Sequence, residues 1–219
     1  MRHPLIRLVI LLLLLPYMLS VPYQFMRPPS TLMLYDLLQF KIPRRQWVPL
    51  SRISPNLKAA VVASEDGAFC EHWGLDFDQM ERSFSRAQRN NRAIKATSTI
   101  SQQLAKNLFL WHGRSWIRKG LEIPLTLWLE LTWSKENILE AYLNIAEWGD
   151  GVYGAEAAAK FHFGTTAAAL SAAQAAYLAT SLPNPHERNA ARPGPAQRAM
   201  ASTIMMRMRY HGPDLSCIH

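Results

Sequence analysis

The chain has 219 residues, enough for one domain with an appendage or for two small domains. Hydrophobic residues make up 49% and charged residues 18%, which excludes a disordered chain; 14 Pro and 10 Gly exclude a collagen-like or low-complexity one. The formal charge is +8, which suits an anionic partner or a basic solvated surface, and two cysteines exclude a disulfide framework or a four-cysteine zinc site.

The first predicted element is an apolar helix over residues 5–25. At about 1.5 Å per residue, 21 residues span roughly one hydrocarbon core. Arg2, His3 and Arg7 precede or open it, and no acid appears before Asp36. Positive charge stays on the cytoplasmic side, so the remainder is expected to face outward. No Ala-x-Ala-type cleavage site follows, so an uncleaved anchor is preferred to a removed signal peptide. Pro16 is expected to kink this helix, which a membrane span tolerates.

Pro28, Pro29, Pro43, Pro49 and Pro55 punctuate the next stretch, read as a linker with one short strand or helix. The expected division is an anchor at 1–26, a linker at 27–55, a functional domain at 56–212 and a tail at 213–219. From residue 56 the pattern is helical, and few segments alternate with period two. Thr99-Ile100-Ser101-Gln102 and Ser171-Ala172-Ala173-Gln174 fit capping boxes, and Ser134 is a predicted N-cap. Residues 149–154 are a Gly-rich break, and a last helix is predicted from Pro195 to just before Gly212. Cys70 and Cys217 make either one disulfide or two free thiols.

Four constellations carry chemistry. Glu65 and Asp66 are adjacent acids at a predicted helix end; mutual repulsion and partial burial beside Phe69 raise one pKa, the state a general base needs near neutral pH. The bland alternative is an ordinary acidic helix end. Ser98 and Thr99 stand at a helix N-terminus, a ready anion site. Beyond them Gln102 and Lys106, and Gln103 and Asn107, share one polar helix face. Arg114, Arg118 and Lys119 join Lys106 as four cations within 14 residues, offset locally by Glu122 alone. Guanidinium forks and ammonium groups are what a diphosphate needs. In the fourth, residues 135–144, the apolar members read as core, and Asn144 and Glu147 as core or cleft.

A glycosidase usually needs two carboxylates, because an alkoxide leaves poorly. A sugar diphosphate has a stable leaving anion and needs only cations to meet its developing charge. One base plus a cationic cluster, beside an outward-facing anchor, therefore points to glycosyl transfer from a lipid-linked diphosphate sugar.

The residues resemble a known family. Glu65-Asp66-x-x-Phe69-x-x-His72-x-Gly74 is similar to the first motif of the family 51 peptidoglycan glycosyltransferases. Ser98-Thr99-Ile100-x-Gln102-Gln103-x-x-Lys106-Asn107 is similar to the second, and Arg118-Lys119-x-x-Glu122 to the third. Lys135-x-x-Ile138-Leu139-Glu140-x-Tyr142-Leu143-Asn144 resembles the fourth, and residues 170–185 the fifth. No transpeptidase segment follows, so the resemblance is to the monofunctional biosynthetic branch. It implies a mainly α, lysozyme-like, two-lobed helical domain behind an N-terminal transmembrane helix. The implied reaction polymerises lipid II into β-1,4 glycan strands and releases undecaprenyl diphosphate. Glu65 and Glu122 are then the catalytic carboxylates, Glu65 as base. Lys106, Arg114, Arg118 and Lys119 hold the diphosphate, while Ser98, Thr99, Gln102, Gln103 and Asn107 shape the donor pocket. No cofactor is required, and a divalent cation (magnesium or manganese) is an optional addition at Glu122. Expected partners are lipid II, the growing glycan and the inner membrane, with cell-division or cell-wall synthesis proteins as candidates and no nucleic acid. The catalytic domain is expected in the periplasm.

The family's jaw is expected to be short and surface-lying here, because residues 75–95 are rich in Arg, Asn and Gln. Two departures stand out. Ala96-Thr97 replaces the usual pair of small residues before the second motif, and Gln174 stands where an acid is common; Gln174 is read as structural. Pro124 is expected to bend its helix and help aim Glu122. The alternatives are a lysozyme-like membrane-anchored hydrolase and a non-catalytic binder of anionic polymers.

Overall fold

A computed structural model describes residues 4–89, 98–113, 115–210 and 212–218. Its chain is mainly helical, as expected. Helix α1, Pro4–Tyr23, is long and apolar enough to cross a membrane, and only 6% of its most apolar window is buried. Its end is docked against the domain. Ser20 is fully buried; its Oγ accepts from Trp128 Nε1 at 2.8 Å and its carbonyl from Trp133 Nε1 at 2.9 Å. Tyr17 meets Trp128 edge-on, and Tyr23 stacks on Phe109.

The Pro-punctuated stretch carries more structure than a linker. Ser30 accepts from Met33 N and caps helix α2, Thr31–Leu38. A short strand β1, Arg44–Arg45, and a 3-10 turn at Leu50–Arg52 follow. Met33, Val48, Leu50 and Ile53 are all buried in the main core. Prolines bound these pieces without entering them, because a missing N–H is harmless at an element's edge.

Helix α3, Pro55–Glu65, starts on a Ser54 cap with Pro at its first turn and buries Leu57, Ala60, Val61 and Val62. Helix α4, Phe77–Arg89, buries nothing. It presents Phe77, Met80 and Phe84 on one face at helical spacing, with charged residues opposite. That amphipathic surface helix is the shape expected of the jaw. The rest of the expected jaw, 90–95, and the Ala96-Thr97 departure lie outside the described residues.

Helix α5, Ile100–Phe109, opens on the predicted Thr99–Gln102 capping box. Helix α6, Trp116–Thr132, opens on Ser115 and runs through Pro124, and α7, Lys135–Ile145, opens on Ser134. The Gly-rich break is a hairpin of β2, Glu147–Gly149, and β3, Val152–Tyr153; β1 pairs parallel with β3 to give the order β1-β3-β2. Helix α8, Ala155–Phe163, leads to α9, Ala172–Ser181, which carries the Ser171–Gln174 capping box, and to α10, Pro195–Tyr210. Gln174 is thus the structural residue expected.

Helices α3, α9 and α10 pack as one group and α5, α6 and α7 as another, over one hydrophobic core. Gly74 is where the α3–α4 loop touches α6. Its φ is +79°, and an added Cβ would lie 2.6 Å from Thr126 Cγ2. Cys70 and Cys217 form a disulfide with Cα atoms 5.5 Å apart, which settles the alternative left open by the sequence. It ties the segment after α10 to the turn after α3.

Candidate active site

The two adjacent acids have opposite fates. Asp66 is buried; one oxygen accepts from Ile100 N at 2.9 Å at the start of α5, and the other pairs with His72 Nε2 at 2.8 Å. Gly74 N donates to His72 Nδ1 at 3.0 Å, so the ring proton sits on Nε2 and is donated to Asp66. Asp66 therefore pins α5 to the α3 turn. Glu65, at the last position of α3, accepts from Gln103 Nε2 at 2.9 Å and, weakly, from Ser64. Burial raises its pKa, and the Asp66 charge adds to that, while Gln103, Ser64 and Lys106 pull it down. Gln103 is itself oriented by Tyr142, whose buried hydroxyl donates to its Oε1 at 2.9 Å. This Tyr142–Gln103–Glu65 chain crosses from α7 through α5 to α3.

On the far side of Gln103 lies the cationic group. Lys106, Arg118 and Lys119, with Ser98, Gln102, Gln103 and Glu122, line a cleft of about 300 Å³. Gln103 and Lys106 also line an adjoining pocket of about 200 Å³ with Asn107, His112 and Tyr142. Glu122 is buried, and each of its oxygens is engaged: one pairs with Arg118, the other with Lys119 Nζ at 2.8 Å. Lys119 also donates to Ser98 Oγ at 2.9 Å, and Arg118 Nε to Gly113 O at 3.0 Å. Two cations thus pair with one carboxylate, and Lys106 lines the same cleft. Lys106 makes no ion pair among the described residues; burial lowers its pKa, and the Arg118 charge lowers it further. Lys119 is lowered by burial and by both neighbouring cations. His112 is pushed down to about 4 by burial and the same cations, so it is neutral at pH 7.

The expected site residues divide as follows. Glu65, Gln103, Lys106, Asn107, Arg118, Lys119, Glu122, Ser98 and Gln102 line the two joined pockets or bond to residues that do. Arg114 lies outside the described residues. Thr99, expected to bind substrate, has its hydroxyl committed to the scaffold. It caps Gln102 N and donates to Gly74 O at 2.6 Å, because a helix start buried against a loop needs both bonds. Gln102 closes the same cap through Oε1 to Thr99 N. Asn144 is core: its amide holds both backbone groups of Val48. Glu147 lines the cleft. Tyr142 and His112 were missed as site residues. Tyr142 had read as core, and nothing in the local pattern marks a histidine between Trp111 and Gly113 as a cleft wall.

Both Glu122 oxygens sit on cations, a setting that does not fit a divalent ion, whose neighbours there would be like charges. The nearest thing to a metal-ligating set among the described residues is Glu147, Asp150 and His186, with ligand atoms within 4.8 Å. Asp150 and His186 are exposed to water, and nothing in the arrangement demands an ion.

Comparison with known proteins gives the same picture. A family model described as Transglycosylase matches residues 34–209. A biosynthetic peptidoglycan transglycosylase of Agrobacterium fabrum is 50% identical over 209 residues, 94% of this chain and 92% of that protein. Proteins of the same name from Rhizobium meliloti and Rhodopseudomonas palustris are 46% and 49% identical, over 100% and 94% of this chain. With the family model and these relatives matching most of the chain, this protein belongs to the transglycosylase family.

Proposed function

We propose that the chain is a peptidoglycan glycosyltransferase that polymerises lipid II into β-1,4 glycan strands. The observation that carries this reading is that Gln103 bonds Glu65 and, beside Lys106, lines both cationic pockets, while Glu65 opens on a neighbouring pocket that shares Pro183 with one of them. Glu65 removes the proton from the acceptor 4-hydroxyl as that oxygen attacks the donor's anomeric carbon. The bond from that carbon to the diphosphate oxygen breaks, and configuration inverts. Lys106, Arg118 and Lys119 receive the negative charge that develops on undecaprenyl diphosphate. Glu122 acts one step back: it holds Arg118 and Lys119 in place and offsets part of their mutual repulsion. Arg114 joins the cationic group in this reading.

Hydrolysis of finished glycan is disfavoured, because it needs a second carboxylic acid to protonate an alkoxide. Of the other carboxylates near the cleft, Asp66 is taken by a helix start and Glu122 by two cations, while Glu147 accepts from Gly151 N and pairs with His186. In this reading the enzyme sits in the inner membrane through α1, with its catalytic domain in the periplasm. The basic N-terminus and the Cys70–Cys217 disulfide support that side, since disulfides persist in oxidising compartments. The test is polymerisation of lipid II by the purified chain against its Glu65→Gln variant, with intact sacculi as a second substrate. Glycan product from wild type alone supports the reading. Full activity of the variant rejects Glu65 as the base, and soluble muropeptides released from sacculi reject the reading as a whole.

A further inference from the structure

The cationic cleft continues into an apolar groove. Pocket space runs from the Arg118 side past Gln103 and Lys106, reaches His112, and there joins a second cavity of about 610 Å³ that shares His112 and Leu32 with the polar pocket. This groove is walled by α2 on one side and by residues 109–112 on the other, and it offers Leu34, Tyr35, Leu38, Phe109 and Trp111. The walls are held at a set distance, because Thr31 Oγ1 at the start of α2 points its hydroxyl at the carbonyls of Leu110, at 2.7 Å, and Asn107, at 3.2 Å. The outer end of the groove meets the membrane helix: Phe109, part of its wall, stacks on Tyr23 of α1. A trough with a cationic end, an apolar length and an outlet beside a membrane span has the outline of a lipid diphosphate.

We infer that this groove between α2 and the end of α5 holds the proximal part of the donor's polyprenyl chain and leads it from the diphosphate site to the bilayer. The inference rests on the lipid-diphosphate reading above and adds a site for the tail. Its volume lies in the range of ligand pockets and accommodates the first isoprene units, leaving the remainder in the membrane. It also accounts for α2 itself, a helix with a buried Met33 side and an outer face of large apolar residues in water: Leu34 is 48% exposed and Leu38 79%. Bare apolar surface of this kind on a soluble face is a liability unless something covers it.

The experiment uses the full chain in detergent micelles and two substrates, lipid II with its undecaprenyl tail and an analogue with a short prenyl tail. Wild type is expected to show a lower KM for the long tail. In Leu34→Asp and Leu38→Asp, that ratio of short-tail to long-tail KM is expected to fall about tenfold, a size set by the loss of a few buried methylenes. Both positions are exposed, so neither change opens the core, and melting curves verify this. Met206→Asp on α10, an exposed residue far from the groove, is expected to keep the wild-type ratio. An unchanged ratio in both α2 variants overturns the inference. So does loss of vesicle binding with an unchanged ratio, which would make the face a bilayer contact. If wild type polymerises neither substrate, the underlying activity fails instead, a result distinct from the other two.

Discussion

Glu65 and Glu122 are the same residue type on either side of Gln103, which bonds the first and lines a pocket with the second, and their surroundings differ in kind. Glu65 has a neutral amide and a weak hydroxyl contact as partners, and burial keeps its proton affinity high. Glu122 is buried more deeply, with a guanidinium on one oxygen and an ammonium on the other. A carboxylate with neutral partners can accept a proton; one saturated by cations cannot. The cleft thus separates proton chemistry from charge neutralisation, and Gln103 with Lys106 forms the boundary.

The strongest way to break this comparison is Glu65→Gln. Loss of a positioned base lowers kcat by about 10²–10⁴ in a lipid II polymerisation assay, with no loss of thermal stability. Lys106→Ala tests the other wall. Loss of one donor to a developing anion costs about 10²–10³ in rate. Its melting temperature should be unchanged or higher, since the buried ammonium is disfavoured by desolvation and by Arg118. A large drop in stability would make Lys106 structural. Arg118→Ala is expected to lower both rate and stability, the latter by up to about 3–5 kcal/mol, because Glu122 loses one cation in a buried setting; the partial compensation by Lys119 sets the lower end. Reduction of Cys70–Cys217, read by melting with and without a dithiol reductant, should cost about 2–4 kcal/mol, since it frees a loop of 147 residues. That test sharpens the comparison, because the bridge supports the Glu65 turn and leaves the Glu122 wall alone.

The smallest effect is in pH dependence. Because the folded pKa of Glu65 is raised, its ionised form is disfavoured in the native state. The contribution of Glu65 to stability is therefore greatest below the ordinary carboxylate range, falls as pH climbs to the raised value, and is level above it. Activity runs the other way, rising as Glu65 loses its proton. In Glu65→Gln the stability slope in that window should flatten; an unchanged slope would assign it to another group.

Much of the frame was legible because it depends on short-range chemistry. The Thr99–Gln102 and Ser171–Gln174 boxes and the Ser134 cap stand where a hydroxyl and an amide three residues on dictate a helix start. The apolar run at the N-terminus needed only its length and the absence of acids. The stretch between residues 27 and 55 was harder. Helix α2 has a one-residue polar signal, Ser30, and its proline-rich setting reads as linker until Met33 is seen buried against the core. The local pattern did not separate Asp66 from Glu65, and only the family resemblance singled out Glu65, because what separates them physically is the α5 N-terminus, 34 residues away in the chain, docking on Asp66.

The linear order of residues determined most of the helices, their caps, the long apolar N-terminal helix and the families of side chain available for chemistry, all of which follow from neighbours within a turn or two. Only the folded chain decided which acid stays available as a base, that Glu122 is neutralised in place, that Cys70 reaches Cys217, and that the cationic cleft opens into an apolar groove beside α1. Those outcomes depend on desolvation and pairing between groups remote in sequence, and no local pattern encodes how much water a distant helix will exclude.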